Sequence, residues 1–486
     1  MLLPAIQAFA LDQHRIAQPF FYGAVLFSVF TALVALATYR QPIRNVARSQ
    51  LLTLVAAYLV LPIMLAVPLH EARPSMSFFN AYFEMVSSMT TTGASIFDIP
   101  RLVPDPIHLW RGLVGWLGGF LVLVTAVAVL GPMTLGGFEV LRPNASAGGL
   151  PGSGAQLARA TEPNERVVRY ASQILPVYLS LTLAVWVVQV VTGTSSFQGL
   201  MVAFATMSTS GILPMPTLGD LNVNIGGEFV IFVFLFAAVT RQVLWSPVDK
   251  NYLPLLRNDA EMRVAVCFLF AVPLALWFRH FVGAIELNEE GDLVSAFRAL
   301  WGAVFTVQSF LTTTGFVSSD WETARDWSAL PTPGLLLAGL AIIGGGVATT
   351  AGGVKLLRFY ALYKHGTREM GRLVHPSSIG SGGRLGRGMR REGAFIAWIF
   401  FMLFALSIAG TVTALAFTGL SFDEATIFAL AALSTTGPLV HVALDDSATY
   451  AQLAVGTKAL LIGAMVLGRM ETLAIIALFN PDFWRR

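Results

Sequence analysis

Four times along this 486-residue chain a short apolar stretch runs into three hydroxyl-bearing residues and then a glycine. The copies are Thr90-Thr91-Thr92-Gly93, Ser208-Thr209-Ser210-Gly211, Thr312-Thr313-Thr314-Gly315 and Ser434-Thr435-Thr436-Gly437, their glycines separated by 118, 104 and 122 residues. The chemistry such a set can perform is coordination of a dehydrated monovalent cation. Inside a membrane that ion needs several oxygen ligands, and backbone carbonyls supply them without a full negative charge in hydrocarbon. Glycine lets successive carbonyls turn toward one axis, because it reaches positive φ without a Cβ clash, while Ser and Thr hydroxyls can hold the neighbouring backbone. Ser, Thr and Gly are also ordinary small packing residues between transmembrane helices. Recurrence of all four copies at one position of a repeat argues against packing alone. The candidate ion ligands are therefore Thr91, Thr92, Gly93, Thr209, Ser210, Gly211, Thr313, Thr314, Gly315, Thr435, Thr436 and Gly437, with the ion as cargo and no organic cofactor expected.

The elements that must position these loops lie in a membrane. Hydrophobic residues make up 55% of the chain and charged residues only 12%, too little polar surface for a soluble globule. Stretches long enough to cross a hydrocarbon core of about 30 Å fall near 20–38, 50–69, 112–131, 168–191, 226–245, 264–282, 334–363, 394–418 and 454–479. Segments 78–92, 196–210, 297–314 and 424–436 read as half-length helices that dip in and return through the glycine loop, since irregular backbone is tolerated at membrane depth only where it lines a cavity. The expected fold is an all-α polytopic membrane protein. It has four pseudo-repeated modules of helix, pore helix, filter and helix around one central pore, plus an N-terminal helix. In residue ranges this gives an N-terminal segment 1–48, modules at 49–141, 167–250, 251–366 and 392–486, and linkers at 142–166 and 367–391.

Charge fixes an expected orientation. Arg40, Arg44, Arg48, Arg358, Lys364, Arg368, Arg372, Arg384, Arg387, Arg390, Arg391, Arg485 and Arg486 fall on one side, which the positive-inside rule makes cytoplasmic. The loops on the filter side carry Asp98, Asp105, Asp220, Glu286, Glu289, Glu290, Asp292, Asp320, Glu322, Asp326, Asp423, Glu424, Asp445 and Asp446, an acidic mouth that would concentrate cations. Residues 1–12 lack the basic start of a signal peptide, and 1–18 read as interfacial or loosely attached. The single cysteine, Cys267, excludes an internal disulfide framework and reads as a small apolar packer. Gly380-Ser381-Gly382-Gly383 follows no strand and reads as linker rather than a phosphate loop.

Two features interrupt otherwise apolar helices. Residues 334–363 should form one long helix, yet Gly344, Gly345, Gly346, Gly352 and Gly353 fall within ten positions, with Thr349 and Thr350 between them. At about 1 kcal/mol per glycine relative to alanine a straight helix is disfavoured, and an intramembrane loop fits better. Arg469 lies inside the last apolar stretch, where an arginine costs at least about 2.5–3.5 kcal/mol unless it meets water or a partner, so it is expected to face the pore. Glu84 is a candidate structural charge in the first half-helix, its cation unidentified from sequence.

The four filter glycines, Trp110-Arg111 with Trp116-Leu117-Gly118-Gly119, the broken helix at 344–355, Arg368-Glu369 with Leu373-Val374-His375-Pro376, and Gly468-Arg469-Met470-Glu471 with Pro481-Asp482-Phe483-Trp484 together resemble the TrkH branch of the Trk/Ktr/HKT potassium transporters over about residues 50–486. The resemblance implies potassium uptake across a bacterial inner membrane. It also implies a gate formed by Gly344 through Gly353 beneath the filter, with Lys355 as its anchor and Arg469 beside it. Partners implied are a second copy in a homodimer and a peripheral nucleotide-binding TrkA-like subunit; no nucleic acid is expected. The charge and Gly/Ser content of loop 364–391 fit a docking segment for that subunit, or a stretch that only fixes topology or touches anionic lipid. Two helices precede the first module in the family pattern, whereas this chain has room for one. A channel-like pathway and a proton- or sodium-coupled symporter both remain open. The latter should show intramembrane carboxylates and inverted repeats, and here the repeats are four and same-sense. An enzyme is disfavoured, for neither a His-Glu-x-x-His nor a Gly-x-Ser-x-Gly motif occurs.

Overall fold

The structure is a computed structural model of the chain, and it describes residues 1–38, 46–133, 135–140, 163–245, 252–287, 293–328, 332–374, 393–444 and 448–470. Most of the two linkers, with Arg384, Arg387, Arg390, Arg391 and the Gly380–Gly383 stretch, lies outside the described residues. So do Arg40, Arg44, Glu289, Glu290, Asp292, Asp445, Asp446 and everything after Met470.

The chain opens with a short helix α1 (Leu2–Ala10) folded back on α2 (His14–Thr38), so the start of the expected interfacial segment packs beside the single N-terminal span and residues 14–18 belong to that span. Module one follows as α3 (Val46–Leu59), α4 (Leu61–Ala72), the half-helix α5 (Phe78–Met89) and α6 (Asp105–Thr125), which ends in a π turn over Ala126–Leu130. The break between α3 and α4 falls at Val60 because Pro62 brings no amide to the ladder. Module two contains α7 (Pro163–Val191), half-helix α8 (Ser196–Ser208) and α9 (Ile225–Val239). Module three contains α10 (Ala260–Leu287), half-helix α11 (Leu293–Leu311), α12 (Trp321–Ser328), α13 (Pro333–Ile343) and α14 (Leu356–Val374). Module four contains α15 (Gly393–Ala416), half-helix α16 (Phe422–Leu433), α17 (Leu439–Ala443) and α18 (Val455–Met470).

Among the described residues seven helices are long and apolar enough to cross a bilayer. Length and composition count α11 among them, although it ends at a filter like the other half-helices. They also leave out α9, whose 15 residues stop short of the expected 226–245. In α2 and α15 only 11% and 17% of the apolar window is buried, so their side chains face outward, as helices solvated by lipid require.

Modules meet in ring order. α6 packs on α8, α9 on α11, α13 on α16, and α18 returns to α5, which closes four modules around one axis. Three of the four half-helices are started by side-chain caps: Ser77 accepts from Asn80 N, Ser195 from Gln198 N, and Ser421 forms a reciprocal capping box with Glu424. Each half-helix points its C-terminal end, the negative end of its dipole, at the filter that follows. The core of the ring is these half-helices, with Ala425 through Leu433 and Glu84 through Met89 buried apart from one residue, Thr426.

Candidate functional site

All four hydroxyl-rich tripeptides make the same turn. The second residue of each, Thr91, Thr209, Thr313 and Thr435, takes left-handed backbone with φ of 53°, 51°, 59° and 56°. Its amide bonds back three residues and the next amide bonds back five: Thr92 N to Ser87 O, Ser210 N to Ala205 O, Thr314 N to Ser309 O and Thr436 N to Ala431 O, at 2.8–3.1 Å. This is the Schellman ending of a helix, normally a glycine position. A β-branched residue there is strained by roughly 1–2 kcal/mol and is held by its surroundings. The hydroxyls do the holding. The first residue of each copy donates to the carbonyl four back, Thr90 to Val86, Ser208 to Phe204, Thr312 to Gln308 and Ser434 to Leu430, at 2.6–2.9 Å. The first and third hydroxyls also pair, at 2.8, 2.9, 3.1 and 3.2 Å in chain order.

The glycines depart from one expectation of equivalence. Gly93, Gly211 and Gly315 have φ of 73°, 64° and 80°, but Gly437 is not in the left-handed region. What demands glycine at 437 is proximity, since a Cβ there would strike the backbone of Gly93 and Ala94. Gly437 N donates to Thr92 O at 2.6 Å, so the fourth filter is hydrogen-bonded directly to the first.

Behind the filters, buried carboxylates hold the returning chain. Glu84 pairs with Arg111 Nε at 2.5 Å and accepts from Ile96 N at 3.0 Å, and both side chains are almost wholly buried. The cation that the sequence left unidentified is therefore Arg111, one and a half turns into α6. Glu228 of α9, absent from the sequence reading, accepts from Trp301 Nε1 at 2.8 Å, Ser318 Oγ at 2.8 Å and Ser319 N at 2.6 Å, just past the third filter. A carboxylate with hydrogen-bond donors on both oxygens can stay buried and charged.

The broken helix lies against the filters. Residues 344–355 separate α13 from α14, with Gly344, Ala348, Gly353 and Lys355 at positive φ. Gly352 N donates to the hydroxyl of Thr313 at 2.7 Å, and a Cβ on Gly352 would strike Ser434 O and Thr435 Oγ1, so the loop touches filters three and four. Gly345 and Gly346 are pressed on the carbonyls of Ala238 and Val239, and Gly346 N donates to Ala238 O at 3.0 Å. Thr349 also bonds Ala238 O, at 3.0 Å. Lys355 Nζ donates to Ala351 O within the loop, and Arg469 Nη2 donates to Thr350 O at 2.6 Å. Glu261, also missed from sequence, accepts from Val347 N at 2.7 Å. A cavity with room for about 30 Å³ of water centres, enough for a water or two, lies between the loop, Tyr58 and Arg469. The expected filter and loop residues thus come together at one place, and the polar contacts of the loop come from four other segments of the ring: the end of α9, α10, the third tripeptide and α18.

Comparison with known proteins agrees with this architecture. The family model of the TrkH cation transport proteins matches residues 16–212 and 223–486. The Trk system potassium uptake protein TrkH of Escherichia coli K12 is 28% identical over 445 residues, covering 90% of this chain and 86% of that protein. TrkG of the same strain is 27% identical over 96% of this chain and 91% of its own length. TrkI of Halomonas elongata is 26% identical over 92% and 86%. The crystal structure of the potassium transporter TrkH from Vibrio parahaemolyticus superposes with a TM-score of 0.82 over 100% of this chain and 96% of that one, at 24% identity. With four like turns ringed about one axis and a broken helix beneath them, this multi-pass membrane chain belongs to the TrkH family of cation transport proteins.

Proposed function

We propose that this chain carries potassium across the bacterial inner membrane through the axis of its four filters, with the loop Gly344–Gly353 as the gate. The observation that supports this best is the fourfold repetition of one strained turn, with the same hydroxyl pair and the same two backbone bonds. Nothing in packing alone requires four strained threonines at one level. The relatives named as potassium uptake proteins point to the same cargo. Gating by the loop is supported by its position against Thr313, Ser434 and Thr435 and by its tethers to Glu261 and Arg469. A homodimer and a nucleotide-binding TrkA-like subunit on the basic face complete the proposal, the subunit supplying nucleotide control.

The test is flux from purified protein in liposomes under separately imposed potassium and proton gradients. Potassium and rubidium should pass well above sodium and lithium, and Gly93→Ser should erode that preference, because a side chain there would enter the carbonyl of Ser210. Equal sodium and potassium flux in the unmodified protein overturns the assignment. The second reading, a proton- or sodium-coupled symporter, is favoured by one observation: the buried carboxylate of Glu261 bonded to the gate loop. Uphill potassium movement driven by the proton gradient alone would select it.

A further inference from the structure

The fourth filter differs from the other three at its outer end. Only there is the glycine followed by proline, and Pro438 starts the short helix α17. Its ring occupies the space that a side chain on any of the other three filter glycines would enter. A Cβ on Gly211 would lie 2.8 Å from Pro438 Cγ, one on Gly315 would lie 3.0 Å from Pro438 Cβ, and one on Gly93 would lie 3.5 Å from Pro438 Cδ. Three glycines arranged around an axis can share one neighbour only if that neighbour sits near the axis. Pro438 is half-buried, as a residue at the mouth of a pore would be.

An independent observation concerns the carbonyl of Gly437. It accepts from the hydroxyl of Tyr450 at 3.1 Å and from Val440 N at 3.3 Å. Tyr450 is fully buried, packed edge-on to Phe428 of the fourth half-helix. Among the described residues no hydrogen bond reaches the carbonyls of Gly93, Gly211 or Gly315. The fourth strand therefore commits its glycine carbonyl to the protein and its glycine amide to Thr92 O, and it offers the axis a rigid hydrocarbon ring instead.

We propose that Pro438 is a specificity-determining residue of this pore. The outermost level of the filter is a three-carbonyl site closed on its fourth side by the pyrrolidine ring, and Tyr450 is the positioning residue that holds the fourth carbonyl out of it. A rigid wall sets the width of the site, and three ligands rather than four lower the pull on a small, strongly hydrated cation at that level. This inference rests on the proposed cation pathway and adds to it an asymmetric outer end.

The experiment measures rubidium, sodium and caesium uptake into liposomes holding the full chain, its Pro438→Ala variant and its Tyr450→Phe variant, each checked for folding by detergent size-exclusion chromatography. Pro438→Ala should widen the outer level and lower the rubidium-to-sodium preference on the order of tenfold, with caesium uptake raised relative to rubidium. Tyr450→Phe removes one hydroxyl without changing ring volume, frees the Gly437 carbonyl and should shift the ion ratios. A merely structural role would scale all three fluxes together. If the folded variants keep the ion ratios of the parent chain, the proposal is wrong. Should Pro438→Ala not fold, the Tyr450→Phe ratios decide alone. A parent chain without preference among the three ions overturns the proposed function itself, a different result from a selective parent with unaltered variants.

Discussion

Replacing Arg469 by alanine tests the gate most directly. The guanidinium donates to Thr350 O at 2.6 Å, is itself mostly buried in the last described helix, and lies beside the hydroxyl of Tyr58, to which it can only donate. A hydrogen bond to a charged group contributes about 1.5–3 kcal/mol. If that bond exists only while the loop lies under the filters, its loss multiplies the ratio of displaced to seated loop by roughly 10 to 150. Removing a fixed positive charge from beside the path adds about 1 kcal/mol or more in favour of a passing cation. Rubidium uptake by the reconstituted variant should therefore rise at least severalfold, up to the ceiling set by a permanently displaced loop. The rubidium-to-sodium preference should stay constant, since the proposed function assigns it to the filters. Arg469→Lys keeps the charge but not the planar donor pair, so it should show the smaller part of the gain. A folded Arg469→Ala protein with unchanged flux would refute the tether, and a gain accompanied by lost selectivity would refute the separation of gate and filter.

Gly352→Ala should act on the same equilibrium, since its methyl would strike Ser434 O and Thr435 Oγ1 and the loop must move away; raised uptake with preserved selectivity is the expected reading. Glu84→Gln leaves Arg111 buried without its counter-charge, and breaking a buried pair on one side costs about 3–5 kcal/mol. Thermal stability in detergent should fall markedly, and Glu84→Gln combined with Arg111→Met should recover part of it. Neutralising Arg384, Arg387, Arg390 and Arg391 together should weaken binding of the proposed nucleotide-binding subunit and nucleotide-dependent flux. Basal flux and orientation should be unchanged, and full regulated flux would make this loop only a topological determinant.

The parts of this molecule that repeat or violate a pattern were readable from the chain. Four hydroxyl-glycine sets stand out by recurrence, the loop at 344–353 by glycine density within an apolar stretch, and Arg469 by its cost in hydrocarbon. Contacts that depend on the rotation of one helix against another were not. Glu84 and Arg111 lie 27 residues apart on separate helices, and Glu228 meets Ser318 across 90 residues. Apolar periodicity fixes which face of a helix is buried but not which residue of a neighbour it meets. Glu261 was concealed differently, at the start of a helix where an acidic residue is unremarked. Pro438 carried a visible signal, being the one proline after a filter glycine, but its importance appears only when the other three glycines are placed around it.

The ring of modules also constrains how the protein is made. Its last seam, α18 against α5 and Gly437 N to Thr92 O, joins the fourth module to the first without a covalent link. A nascent chain with three modules inserted has an open-sided bundle, whose first filter still lacks its partner. Until α16 and α18 arrive, Thr92 O and the paired hydroxyls face lipid or trapped water, an expensive condition in hydrocarbon that favours prompt closure. The proposed pathway is therefore complete only once the final helices dock on the first module.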